Sequence, residues 1–147
     1  MSQQTSHADP GVLPGEYLDV QHFYARHMAL LDAGEAELWA DTFSEDALFE
    51  EPARIQPLHG RTAIRDSARL RADRVAAEGV QFRHWVGMLA VTPQDDGSLH
   101  THYYALVLAT PKGGPVETRA SVDCQDVLVR HGGEWQVRHR LLRIDGS

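Results

Sequence analysis

The sequence predicts an α+β fold: a cone in which three N-terminal helices pack on a strongly curved antiparallel or mixed sheet and enclose a pocket. Two observations carry this reading. Up to Gly79 the apolar residues recur at helical spacing with one short strand-like break, and beyond it the period changes to two almost to the C-terminus. The strand candidates after Gly79 are also longer than typical strands, which implies strong twist and curvature.

The first helix is predicted from Glu16 to Leu31, where Tyr17, Val20, Tyr24, Met28 and Leu31 share one face. Asp32-Ala33-Gly34 ends it, with Gly34 free to adopt the left-handed cap conformation. Residues Met1 to Gly15, rich in Pro and Gly, are expected to form a disordered arm ahead of a single domain over 16–147. A short second helix from Glu35 to Thr42 brings Leu38, Trp39 and Phe43 to one side. Ala47 to Glu51 reads as a short strand stopped by Pro52, followed by a loop from Ala53 to Gly60. A third helix, Thr62 to Glu78, buries a sparse stripe of Ala63, Ile64, Ala68 and Val75. Strands are then expected over Phe82–Thr92, Leu99–Thr110, Val116–Arg130 and Glu134–Ile144. The breaks between them hold Pro, Asp and Gly, and His131-Gly132-Gly133 is short enough for a tight hairpin.

Composition narrows the function classes. With 147 residues, 42% hydrophobic and 24% charged, the chain suits one soluble domain. A net charge of −7 argues against a nucleic-acid partner. The arginines between Arg61 and Arg74 are interrupted by acids and read as a solvated helix face. One cysteine, Cys124, excludes an internal disulfide and a multi-cysteine zinc site. No basic-then-apolar leader and no apolar run of membrane-spanning length is present, so a cytoplasmic location without membrane contact is expected.

Several local patterns carry a family resemblance. They are Asp46-Ala47-Leu48-Phe49-Glu50-Glu51-Pro52, His59-Gly60-Arg61-Thr62-Ala63-Ile64, Arg83-His84-Trp85, and Asp126-Val127-Leu128-Val129-Arg130 leading into Gly133-Glu134-Trp135-Gln136-Val137 and Arg140. In this order, over Tyr17 to Asp145, the chain resembles the SnoaL-like branch of the nuclear transport factor 2-like superfamily. It looks closest to small actinomycete proteins of aromatic polyketide pathways, of the actinorhodin type. The last pattern is similar to small subunits of ring-hydroxylating dioxygenases. The resemblance implies a cofactor-independent enzyme that moves protons with polar residues on an apolar wall, and a homodimer. By position, His84 matches a pocket histidine of scytalone dehydratase, while Ala109 stands nearest the place of that enzyme's second histidine.

His84 is the candidate general acid or base, the alternative being a structural histidine bonded to a backbone carbonyl. Alternation puts Phe82, His84, Val86 and Met88 on one face and Arg83, Trp85 and Leu89 on the other. Across the Gly132-Gly133 hairpin, Asp126 is expected opposite position 139, close to Arg140. That charge pair could hold the tautomer of His84, position a substrate carboxylate or simply be structural, and Asp126 is carried as a second catalytic candidate. Tyr103 and Tyr104 are neighbours on a strand, so one faces inward and can orient a carbonyl; Tyr24 can reach the same cavity. Trp39, Phe43, Phe49 and Met88 complete an aromatic-rich pocket for a flat polycyclic ligand, with Cys124 a small buried hydrophobe beside them. Trp85 is expected in the core. Neighbouring Glu50 and Glu51 point to opposite faces and cannot form a carboxylate pair. His100 and His102 lack a third ligand, so no metal is expected. His22 and His27 do not share a helix face.

These features support two functions. One is a cofactor-independent cyclase or dehydratase acting on an aromatic polyketide intermediate. The other is a non-catalytic accessory or ligand-carrying subunit of an oxygenase or polyketide tailoring complex.

Overall fold

The period-two sequence after Gly79 becomes four long antiparallel strands in the computed structural model, which describes residues 11–52 and 56–147. They are β3 (Val80–Pro93), β4 (Leu99–Pro111), β5 (Glu117–His131) and β6 (Glu134–Ile144). The earlier elements are helices α1 (Pro14–Asp32) and α2 (Ala36–Ala40), strands β1 (Phe43–Glu50) and β2 (Leu58–His59), and helix α3 (Arg61–Glu78). The sheet is mixed and six-stranded, in the order β2-β1-β6-β5-β4-β3, with β1 and β6 its one parallel pair among the described residues. It curls without closing. The expected α+β class and layer order hold.

Most element ends move by one or two residues, and three differences have a clear local reason. Helix α1 begins at Pro14 rather than Glu16, because proline's missing N–H costs nothing in a first turn and its φ is already helical. The expected disordered arm therefore ends earlier; residues 1–10 lie outside the described residues. Helix α2 ends at Ala40, short of the expected Thr42, and β1 opens at Phe43 rather than Ala47, where the fully buried Phe43 ring packs 4.8 Å from that of Trp39. Two residues expected in a loop, Leu58 and His59, form β2 by pairing with Phe49 and Leu48; residues 53–55 of that loop lie outside the described set.

Two bulges decide which side chains face inward. Between Gly87 and Ala90, two residues of β3 oppose Tyr103 of β4, and Met88 takes φ 56°. The inward set thus runs Phe82, His84, Val86 and then Leu89, with Met88 turned out and 80% exposed. The Tyr17 hydroxyl on α1 seals the bulge by donating to the Leu89 carbonyl at 2.9 Å. The second bulge lies between Val127 and Leu128. The hairpin starts with His131 opposite Glu134 across Gly132 (φ 60°) and Gly133 (φ 83°), the two left-handed positions such a tight turn requires. Past the bulge the register slips by one, and Asp126 sits directly opposite Arg140.

Candidate functional site

The concave sheet face and the helices enclose a cavity of about 420 Å³. Its apolar wall includes Met28, Leu31, Trp39, Phe49, Ile64, Ala105, Val107, Val122 and Leu142. The polar lining is sparse: Glu51, Ser67, Arg71, Arg74, His84, Tyr103, Cys124 and Arg140. An apolar chamber with few polar groups suits a flat organic ligand held by shape and oriented at one or two points.

His84 reaches the cavity from the inward face of β3. Its Nδ1 lies 2.6 Å from Asp32 Oδ1, and its backbone N–H donates to Asp32 Oδ2 at 3.2 Å. A carboxylate only accepts, so Nδ1 carries the proton and Nε2 the lone pair. Both side chains are largely shielded, at 13% and 11% exposure. Asp32 stands behind the imidazole, against a groove between α1 and β3, and not in the cavity wall. Asp32, and not Asp126, therefore holds the tautomer of His84. The sequence offers no local signal for this contact, since the partners are 52 residues apart.

Asp126 belongs to a buried network beneath the cavity. Arg140 Nε donates to Asp126 Oδ1 and Arg140 Nη2 to Oδ2, each at 2.9 Å. The hydroxyls of Tyr24 and Tyr103 also donate to Oδ2, at 2.7 and 2.9 Å. Thr101 Oγ1, 2.6 Å from the Tyr24 oxygen, completes the Tyr24 contacts. The paired side chains of Arg140 and Asp126 are 3% and 0% exposed. With four donors on its oxygens and no place in the cavity lining, Asp126 is an anchor, and the proton-carrying role expected of it has no opening to substrate. Burial is the largest single influence on Arg140 and works against its charge, but Asp126, through its charge and hydrogen bonds, together with Tyr103 and Tyr24 more than offsets it and raises the guanidinium pKa.

His27 is the network's unexpected member. Its Nε2 accepts from Arg140 Nη1 at 2.9 Å, and its Nδ1 donates to Thr42 Oγ1 at 2.7 Å. The Thr42 hydroxyl passes the chain on to the Trp39 carbonyl. Burial first, then the charges of Arg140 and His84, hold its pKa well below the ordinary value, so the imidazole is neutral. The clue was present in the helix: position 27 lies on the buried stripe of Val20, Tyr24 and Met28. Burial, in the first place, also pushes the Tyr24 and Tyr103 hydroxyls well up and the Cys124 thiol up to about 12, so none of the three is ionised near neutrality.

The other expected pocket residues divide cleanly. Trp39, Phe49, Tyr103, Cys124 and Arg140 line the cavity, although the Tyr103 proton is committed to Asp126. Tyr24 and Phe43 are core residues behind the wall. Two expectations are corrected outright. Met88 is outside, because the bulge at Gly87–Ala90 reverses its direction. Tyr104, opposite Gly87, faces away from the cavity and is 51% exposed, because its neighbour Tyr103 takes the inward place. Trp85 is exposed on the same outer face instead of in the core. His102 pairs with Asp123 at 2.6 Å on that face, and no group of three or more His, Cys, Asp or Glu residues able to hold a metal is found among the described residues. Glu50 turns to His139 while Glu51 turns to the cavity, as strand alternation requires. Sequence reasoning missed that Arg71 and Arg74 border the cavity from α3; Arg71 is partly buried there, while Arg74 keeps the solvent exposure expected of that face and stands at the cavity's edge. Trp39 Nε1 and Trp135 Nε1 are buried without hydrogen-bond partners among the described residues.

The family model of the SnoaL-like domain matches residues 16–141. The chain belongs to the SnoaL-like family. Among solved SnoaL-like and related structures, Aln2 from a Streptomyces species is 36% identical with a TM-score of 0.84, over 91% of this chain and 94% of that one. ActVI-ORFA from Streptomyces coelicolor is 31% identical with a TM-score of 0.83, over 90% of this chain and 99% of that one. A Catenulispora acidiphila protein in complex with S-DNPA is 35% identical with a TM-score of 0.78, over 90% and 96% of the two chains. The β subunit of a putative aromatic-ring-hydroxylating dioxygenase from Novosphingobium aromaticivorans, at 18% identity and a TM-score of 0.74, shares the fold alone. No curated protein matches the chain. No described helix of this SnoaL-like protein is long and apolar enough to cross a membrane.

Proposed function

We propose that this SnoaL-like protein is a cofactor-independent cyclase or dehydratase acting on an aromatic polyketide intermediate by general acid/base catalysis. One observation carries the reading: an imidazole pinned by a carboxylate on Nδ1, with Nε2 left for a ligand, in the wall of an apolar cavity. The resemblance to Aln2 and ActVI-ORFA over nearly the whole chain supports a polyketide-pathway role.

In this reaction His84 Nε2 removes a proton from carbon or oxygen of the bound intermediate. The Asp32 carboxylate stabilises the imidazolium that forms. The remaining N–H bonds of Arg140, on the cavity wall, stabilise negative charge developing on a substrate carbonyl oxygen. The imidazolium then returns its proton to a leaving hydroxyl, releasing water, or to the closing ring, giving an isomer. The apolar walls fold the reactive chain so that the joining atoms start close together.

The test is mass-resolved chromatography of a bicyclic or tricyclic polyketide hemiketal incubated with wild type, His84→Ala and Asp32→Asn. Wild type is expected to yield a product isomeric with the substrate or one water lighter. His84→Ala should slow formation by about 10²-fold or more, and Asp32→Asn by a smaller factor at unchanged KM. Unaltered substrate that binds both wild type and His84→Ala would sink the catalytic reading and leave a ligand carrier. The same proposal includes a homodimer formed through the outer sheet face, where Trp85, Tyr104 and Leu106 form a contiguous exposed apolar patch.

A further inference from the structure

Resting on that reading, we infer that the cavity takes a polycyclic ligand bearing a carboxylate, which Arg71 and Arg74 of α3 bind beside His84. Arg71 and Arg74 are three positions apart on the helix, and Ser67 is four positions before Arg71, so the three share one face. All three line the cavity, with Arg71 partly buried and Arg74 exposed at its edge.

Among the described residues neither arginine has a hydrogen-bonded or ion-paired counterion. On the same helix Arg69 is satisfied by Glu37 and Asp73, and Arg61 by the Phe43 carbonyl. No hydrogen bond or ion pair to Arg71 or Arg74 is found among the described residues, although Arg71 stacks at 4.9 Å on the Phe82 ring. Burial presses the Arg71 pKa down; the Asp32 charge offsets part of this, and Arg74 adds to it. Asp32 is already held by both the ring and the backbone of His84, which leaves it an indirect partner. A partly buried guanidinium near a second one, in a chain of net charge −7, is a costly arrangement without an anion. Glu51 also contributes a carboxylate to the lining, but it follows β1, whereas Arg71 lies over the Phe82 ring of β3. A ligand is thus expected to lie with its acid at the Arg71 end.

A planar carboxylate matches the fork of a guanidinium, and stacking on Phe82 holds the Arg71 fork in one plane. Bound there, the acid group would set the distance of the ring system from His84 and so choose which carbon or hydroxyl exchanges a proton.

The experiment compares anthraquinone-2-carboxylate with its neutral carboxamide by titration calorimetry, on wild type and Arg71→Gln/Arg74→Gln. Wild type should bind the acid roughly tenfold or more tightly than the amide, with the preference shrinking as salt rises. The double variant should bind both alike, with amide affinity unchanged as proof of an intact cavity. Equal binding of acid and amide to wild type would overturn the carboxylate site while leaving the polycyclic cavity standing. An acid preference that survives in the double variant would overturn the assignment to Arg71 and Arg74. If neither compound binds wild type, the carboxylate site fails together with the polycyclic-ligand reading beneath it.

Discussion

At the scale of single residues, two histidines of similar sequence appearance have opposite roles because their partners differ. His84 holds a carboxylate on one nitrogen and keeps the other for a ligand. His27 is fully buried with both nitrogens occupied, and burial first, then the Arg140 charge, keeps it neutral. Below about pH 6.5, the ordinary histidine value, the unfolded chain protonates position 27 while the folded chain does not. Its stabilising contribution is therefore complete above that pH and falls as pH drops toward the depressed folded value. Urea titrations between pH 7 and 5 should show a shallower acid loss in His27→Gln than in wild type. The Arg140–Asp126 pair makes a sharper prediction. Asp126→Ala leaves a buried guanidinium unpaired and should cost about 3–5 kcal/mol in urea unfolding. A loss below about 1 kcal/mol would show that the network does not need its carboxylate.

At the scale of elements, the two bulges matter more than the regular strands around them. One slips the β5–β6 register by a residue and brings Asp126 opposite Arg140; the other ejects Met88 from the inward row of β3. Strict alternation, applied to the sequence, misses both, because a bulge is a choice between two pairings of similar local propensity that only neighbouring strands can settle. Since Met88 is exposed and left-handed at φ 56°, Met88→Gly should be neutral or stabilising by up to about 1 kcal/mol in chemical denaturation. Met88→Val, β-branched and poorly tolerated at positive φ, should instead destabilise by about 1–2 kcal/mol. Reversal of that order would mean that the Met88 side chain carries packing energy after all.

At the scale of the whole molecule, the sheet has a covered concave face and an outer face that retains Trp85, Tyr104 and Leu106 in the open. Sedimentation equilibrium of wild type should give twice the 16.4 kDa chain mass. Trp85→Glu, which places a charge in the middle of the apolar patch, should shift the protein to monomer without altering ligand binding in the cavity. A monomeric wild type would remove the outer-face dimer from the proposal.

What the sequence by itself determined was the order and kind of elements, because helical and strand periods, turn residues and glycine positions act over a few neighbours. It also singled out His84 and the Asp126–Arg140 pair by residue type and strand position, and left open which of Tyr103 and Tyr104 faces inward. Tertiary structure alone decided the partners. Asp32 reads as the end of a helix until the sheet brings His84 against it, and Arg71 reads as solvent-facing until α3 lies across the cavity. His27 and Arg140, 113 residues apart, meet only in the folded core. The physical reason is common to all: charge pairing and burial act through space, and contacts between distant segments leave no local period for a sequence to display.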